Sequence, residues 1–173
     1  MRTLRMILVS LMVAGSTAAF SQEPPTISAE LKALEWQIGT WEGTVKWSMP
    51  GMEGDSKMTM KSEWEGLFMK QTSTTEMQGM KMLEVGYLGY DPDKKKYSFH
   101  TFTSFAPTPR IEWGTVEGTK SIFVSDPWNV MGQVTSSRAT IIKKSDSEMS
   151  FTLEFKQGEV WSKVAEGTFK KKG

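Results

Sequence analysis

Gly39-Thr40-Trp41-Glu42-Gly43-Thr44-Val45-Lys46-Trp47-Ser48-Met49 is the stretch whose reading decides the fold. Every second residue from Trp41 to Met49 is apolar or glycine, and Glu42, Thr44, Lys46 and Ser48 stand between them. Side chains of a β-strand alternate between its two faces, so this segment has one tryptophan-rich apolar face and one polar face. Pro50-Gly51 ends it.

Immediately upstream, Ser28 is an N-cap for a short helix from residue 29 to about 37, with Glu30 in its first turn. Leu31, Leu34 and Ile38 fall on one side of it, as a plug against the end of a barrel requires. Downstream the period stays at two. Strand-like segments cover residues 57–65, 67–77, 81–90, 96–104, 110–116, 120–125 and 133–143. Another carries Met149, Phe151, Leu153 and Phe155 in alternation, and a last one covers 160–170. Asp91-Pro92-Asp93-Lys94-Lys95 is a turn with a mechanism, since Asp91 can bond the following backbone and Pro92 presets φ. Residues 126–132 read as the longest irregular loop. Ten strands at hairpin spacing predict an all-β chain: a single antiparallel up-and-down β-barrel, preceded by the short helix. Closure removes the exposed sheet edges and can leave an interior cavity.

The first 21 residues read as a signal peptide. Arg2 and Arg5 are its positive region, Met6 to Val13 its apolar core, and Ala19-Phe20-Ser21 a cleavage site before Gln22. The apolar run is too short to span a bilayer. The expected mature chain, residues 22–173, is one domain. Loss of Arg2 and Arg5 leaves 19 basic and 20 acidic residues, a net charge of −1 without a nucleic-acid footprint. Cysteine is absent, which removes disulfides, thiolate nucleophiles and zinc–sulfur sites. The expectation is an exported bacterial protein, periplasmic or secreted, with no stable membrane anchor after cleavage. The lysine groups 94–96 and 170–172 read as solvated turn and terminus.

Several spaced motifs carry a resemblance. Leu34-x-x-x-Ile38-Gly39-x-Trp41-x-Gly43, Gly86-x-x-Gly89-Tyr90-Asp91 with Tyr97, Gly114-x-Val116-x-Gly118, Ser137-Arg138, Phe151 to Phe155 and Val164 to Thr168 occur in order. Together they resemble the bacterial domain-of-unknown-function family 1579, across essentially the whole mature chain. The Gly39-x-Trp41 start also resembles the calycin superfamily of lipocalins, fatty-acid-binding proteins and nitrobindin-like barrels. The resemblance implies a calycin-like barrel in which the first-strand tryptophan packs at the closed end against a basic residue from a late strand. Arg138 is the expected partner of Trp41, with Lys163 second. No activity follows from it.

The chemistry-bearing residues are few. His100 is the one histidine, in Ser98-Phe99-His100-Thr101-Phe102, and no Gly-x-Ser-x-Gly elbow is present. It reads either as an inert strand residue or as a polar group facing the cavity. The histidine that holds haem in nitrobindin-like barrels lies near the chain's end, and the last strand here has none. No cofactor is expected. Ten methionines follow residue 21, eight of them between Met49 and Met82. They read as adaptable filling of an interior or, through Met58-x-Met60 and Met80-x-Met82, as soft ligands for Cu(I). Glu42, Glu63, Glu65 and Glu84 are expected on the outer face or rim.

These readings converge on a barrel that binds a small apolar or amphipathic molecule. Trp47, Met58, Met60, Trp64, His100 and Arg138 are expected to line its interior, with Gly39 and Trp41 structural. Arg138 would meet an anionic head group or cap Trp41. An enzyme using His100 as acid or base, and Met-based Cu(I) binding, are the alternatives.

Overall fold

The computed structural model describes residues 26–77, 79–130 and 132–173, so the expected signal peptide over 1–21 lies outside the described residues. A four-residue helix, α1 (Ala29–Lys32), leads into a tighter turn at Glu35–Gln37. The strands then follow as β1 (Gly39–Met49), β2 (Met52–Glu65), β3 (Phe68–Met77), β4 (Met80–Asp91), β5 (Lys96–Thr103) and β6 (Arg110–Glu117). They continue as β7 (Lys120–Ser125), β8 (Trp128–Val130), β9 (Gln133–Thr135), β10 (Ser137–Lys143), β11 (Glu148–Gln157) and β12 (Val160–Lys171). Ten of these form one closed antiparallel barrel in the order β1-β12-β11-β10-β7-β6-β5-β4-β3-β2. Within the barrel, successive strands are sheet neighbours, with β10 beside β7 after the chain leaves the barrel for β8 and β9, and β1 closes the ring by pairing with both β2 and β12.

The helix is shorter than the residues 29 to 37 expected from its cap. Ser28 does cap it, its Oγ accepting from Leu31 N–H at 3.2 Å. Leu34 N–H then bonds the Leu31 carbonyl at 2.9 Å. The Glu30 carbonyl is taken by the Tyr97 hydroxyl at 2.9 Å. Further on, the Trp36 carbonyl accepts from Lys171 Nζ at 3.1 Å and the Gln37 carbonyl from Trp41 Nε1 at 2.9 Å. A helix this short has little stability of its own. The barrel supplies donors for its carbonyls and buries Leu31 and Leu34, and so draws it into a plug.

The Asp91 turn has the expected mechanism: its Oδ1 accepts from the amides of Asp93 at 3.0 Å and Lys94 at 2.9 Å. The segment from 126 to 143 differs from expectation. Residues 126–132 are not an irregular loop, and 133–143 is not one strand. Trp128–Val130 pairs with Gln133–Thr135 as a separate hairpin, and the chain rejoins the barrel only at Ser137. At that corner Ser125 Oγ accepts from Ser137 N–H at 2.7 Å and from Ser137 Oγ at 3.1 Å.

Directly opposed residues share a face of the sheet, so the inside can be followed around the ring. Trp41 faces Met60 and Gly43 faces Met58; Met58 faces Thr75, and Thr75 faces Met82. Gly86 faces Thr101, which in turn faces Arg110. Two clusters make up the core. One holds Trp41, Val45, Met149, Val164 and Phe169; the other holds Leu31, Leu34, Met69, Leu88, Tyr97 and Phe123. On β6 the inside carries Arg110, Glu112 and Gly114, while Trp113 faces out under Lys94 Nζ, 3.7 Å from the ring centroid. Trp161 is outside too, under the Arg138 guanidinium at 4.7 Å. Not every strand tryptophan is core.

Candidate functional site

The interior holds a cavity of about 290 Å3 that reaches from Gln37 beneath the plug to the end of the barrel opposite it. The short β8–β9 hairpin lies over this end and turns Trp128 and Val130 onto the cavity. Most of its wall is apolar: methionines from β1 to β4, and Phe99, Phe123, Phe151 and Phe155. Two glycines shape that wall. A Cβ at Gly86 would lie 2.5 Å from the Phe99 ring, and one at Gly114 2.4 Å from the Phe123 ring. The two rings therefore lie against the sheet in space that larger residues at these positions would fill.

One sector is polar. Arg110 Nε lies 3.1 Å from Glu112 Oε2, and Arg110 Nη1 lies 3.7 Å from Glu84 Oε1. Ser73 Oγ donates to Glu84 Oε2 at 3.2 Å. The Arg110 guanidinium also sits 5.2 Å from the Trp128 ring centroid. Glu112 is 2 % exposed. Burial pushes its carboxyl above the ordinary glutamate pKa; Arg110 pulls the other way without cancelling this, and Glu84 adds to the rise. For Arg110, burial opposes the charge, but Glu112 and Glu84 outweigh it and hold the guanidinium above its ordinary value.

Four buried side-chain polar atoms find no hydrogen-bond partner among the described residues: Gln37 Nε2, Thr101 Oγ1, Arg110 Nε and Trp128 Nε1. The Arg110 N–H is near Glu112 but not aligned with it. All four residues line this cavity. Each of the four atoms is a donor or, for the threonine hydroxyl, can be one.

The structure places the expected residues unevenly. Trp47, Met58 and Met60 line the cavity, and Trp47 Nε1 donates to Ser56 Oγ at 2.8 Å. Trp64 is inside, but it packs with Leu31, Leu34 and Met69 against the plug. His100 is not inside: it opposes Tyr87 and Ile111 on the outer face and is exposed. Arg138 is outside as well, because it opposes Val124 and Glu154 while Ala139 and Ile141 turn inward. It grips Glu154 with two hydrogen bonds, of 2.6 and 2.7 Å. Glu84 departs from the expected outer position and joins the cavity wall.

Trp41 is fully buried and meets Trp36 edge-on at 5.9 Å. Its basic partner is neither Arg138 nor Lys163 but Lys171, whose Nζ lies 5.4 Å from the ring centroid. Lys171 opposes Trp41 in the β1–β12 register and so is not simply part of a solvated tail. Gly39 sits beside it with φ of +120°, and a Cβ there would come within 2.9 Å of Lys171 Cε. Arg138→Ala is expected to cost no more than about 1 kcal/mol, as for a partly exposed pair. Lys171→Met keeps the stem but removes the donor to Trp36, and about 1–2 kcal/mol is expected. Urea unfolding of both variants measures the contrast.

Arg110, Glu112 and Thr101 were not singled out from the sequence. The available signal was the Arg110-x-Glu112 spacing at the start of a strand, which puts both charges on one face.

No curated protein matches the chain. Among solved structures it is similar to Rv2717c from M. tuberculosis, with a TM-score of 0.61 at 14% identity over 85% of this chain and 99% of that one. A redesigned β-barrel matches with a TM-score of 0.40 at 13% identity, over 82% of this chain and 96% of that one. The first likeness is one of fold. The model of the family described as "Protein of unknown function (DUF1579)" matches residues 26–171, and the chain belongs to that family.

Proposed function

We infer that this protein is an exported barrel that binds one small, largely apolar molecule in its interior. The observation that carries this is the cavity of about 290 Å3, with a mostly apolar wall and one polar sector. Its volume lies near the lower end of the roughly 300–1,000 Å3 range of small-molecule pockets. Methionines make such a wall adaptable, since the thioether is flexible and polarizable. His100 offers this site no acid or base, because it stands on the other face of the wall.

Native mass spectrometry of protein purified from its own host tests both parts of the reading. The expected species starts at Gln22 and carries a non-covalent small molecule. A second measurement uses the fluorescence of N-phenylnaphthylamine, a neutral apolar probe. Ala139 lines the cavity between the two core clusters, so Ala139→Phe fills part of it. The variant is expected to bind the probe about tenfold or more weakly, a loss of ~1.4 kcal/mol. Equal affinity in the filled and wild-type proteins would discard interior binding. A chain that keeps residues 1–21 would discard export through signal cleavage.

A further inference from the structure

The geometry points to a hydrogen-bond-accepting oxygen on an uncharged ligand, a carbonyl or equivalent, seated on Thr101, Arg110 and Trp128 at the polar sector of the cavity. This deepens the interior-binding reading and rests on it. Thr101 and Arg110 are directly opposed on β5 and β6, and the Arg110 guanidinium lies 5.2 Å from the Trp128 ring. Thr101 is 2 % and Trp128 6 % exposed, so both are withdrawn from bulk solvent. A buried donor left unpaired costs about 1–3 kcal/mol. Here Thr101 Oγ1 and Trp128 Nε1 stand without a partner among the described residues, and Arg110 Nε has only an unaligned contact with Glu112, all on one side of a single cavity. A ligand that brings an acceptor removes that cost; one without an acceptor does not.

The charge around the donors selects against an anion. Arg110 already faces two carboxyl groups, Glu112 and Glu84, so its charge is compensated within the wall. A ligand carboxylate would meet Glu84 and, when it ionises, Glu112. A carbonyl gains the hydrogen bonds without that repulsion.

Three matched probes separate the possibilities: acetophenone, ethylbenzene and benzoate, titrated into the mature protein by ligand-observed NMR. Acetophenone is expected to bind about tenfold tighter than ethylbenzene, as one well-made hydrogen bond allows, and tighter than benzoate. Thr101→Val removes a donor and keeps the shape; Trp128→Phe removes a donor and also part of the ring. Thr101→Val is expected to lower acetophenone affinity severalfold while leaving ethylbenzene affinity unchanged, and Trp128→Phe to lower acetophenone affinity more than ethylbenzene affinity. Thermal melting confirms that each variant is folded. Equal binding of acetophenone and ethylbenzene overturns the acceptor subsite and leaves interior binding standing. Benzoate as the tightest ligand overturns the preference for an uncharged group. Failure of all three probes to bind counts against the interior-binding reading and the subsite together.

Discussion

Arg110→Met is expected to destabilise the protein by about 3–5 kcal/mol, because it leaves the buried Glu112 carboxyl, beside the half-buried Glu84, without its cation. The side chain of Arg110 is 14% exposed and that of Glu112 3%. Neither is screened by bulk water as a surface pair would be. Urea unfolding at neutral pH measures the loss. The effect should shrink in acid, since Glu112 then takes up a proton and no longer needs the guanidinium. The folded pKa of Glu112 is raised. Its contribution to stability is therefore fully present below the unfolded value and is lost as pH rises through the folded one. Glu112→Gln removes that titration. Relative to wild type, it should gain stability on going from acid to neutral pH, and combined with Arg110→Met it should restore part of the loss. A loss in Arg110→Met that stays constant across pH would rule out this electrostatic account.

Trp41→Ala is expected to cost a similar 3–5 kcal/mol, by a different mechanism. Trp41 has no exposed surface, and its removal empties the middle of the plugged end between Val45, Met149 and Phe169. The Gln37 carbonyl loses its donor at 2.9 Å, and Lys171 loses the ring beneath its ammonium. For a chain of this size the melting temperature should fall by roughly 10 °C, as calorimetry would read. Trp41→Phe should recover much of the packing but not the Nε1–H bond. If alanine and phenylalanine were equally destabilising, the hydrogen bond to the plug would outweigh the packing, and the packing account of Trp41 would be overturned.

Both predictions concern residues inside the barrel, yet only Trp41 was legible as such. On β1, Trp41, Val45, Trp47 and Met49 lie on one face and charged or hydroxylated residues on the other, so inside and outside are unambiguous. β11 reads equally well, with Met149, Phe151, Leu153 and Phe155 inward. On β5 both faces carry aromatics: Tyr97 and Phe99 on one, Phe102 on the other. Alternation then says which residues share a face but not which face is inside, and His100 falls outside with Phe102. On β6 simple hydropathy would choose the wrong face. Ile111 and Trp113 are turned out, and Arg110 and Glu112 are turned in. Their mutual charge pairing, and the aromatic–cation contact that covers Trp113, make that inversion affordable.

The amino-acid sequence by itself determined the closed ten-strand antiparallel barrel, the short helical lead-in, the Asp91 turn and the family, because each depends on local periodicity, turn chemistry or spaced motifs. Tertiary structure alone decided that Lys171 rather than Arg138 serves Trp41. It also decided that Arg110, Glu112 and Glu84 meet within the wall, and that β8 and β9 fold Trp128 over the cavity. The reason is register. Strand pairing between residues far apart in the chain sets which face of each strand turns inward, and a shift of one residue exchanges the two faces.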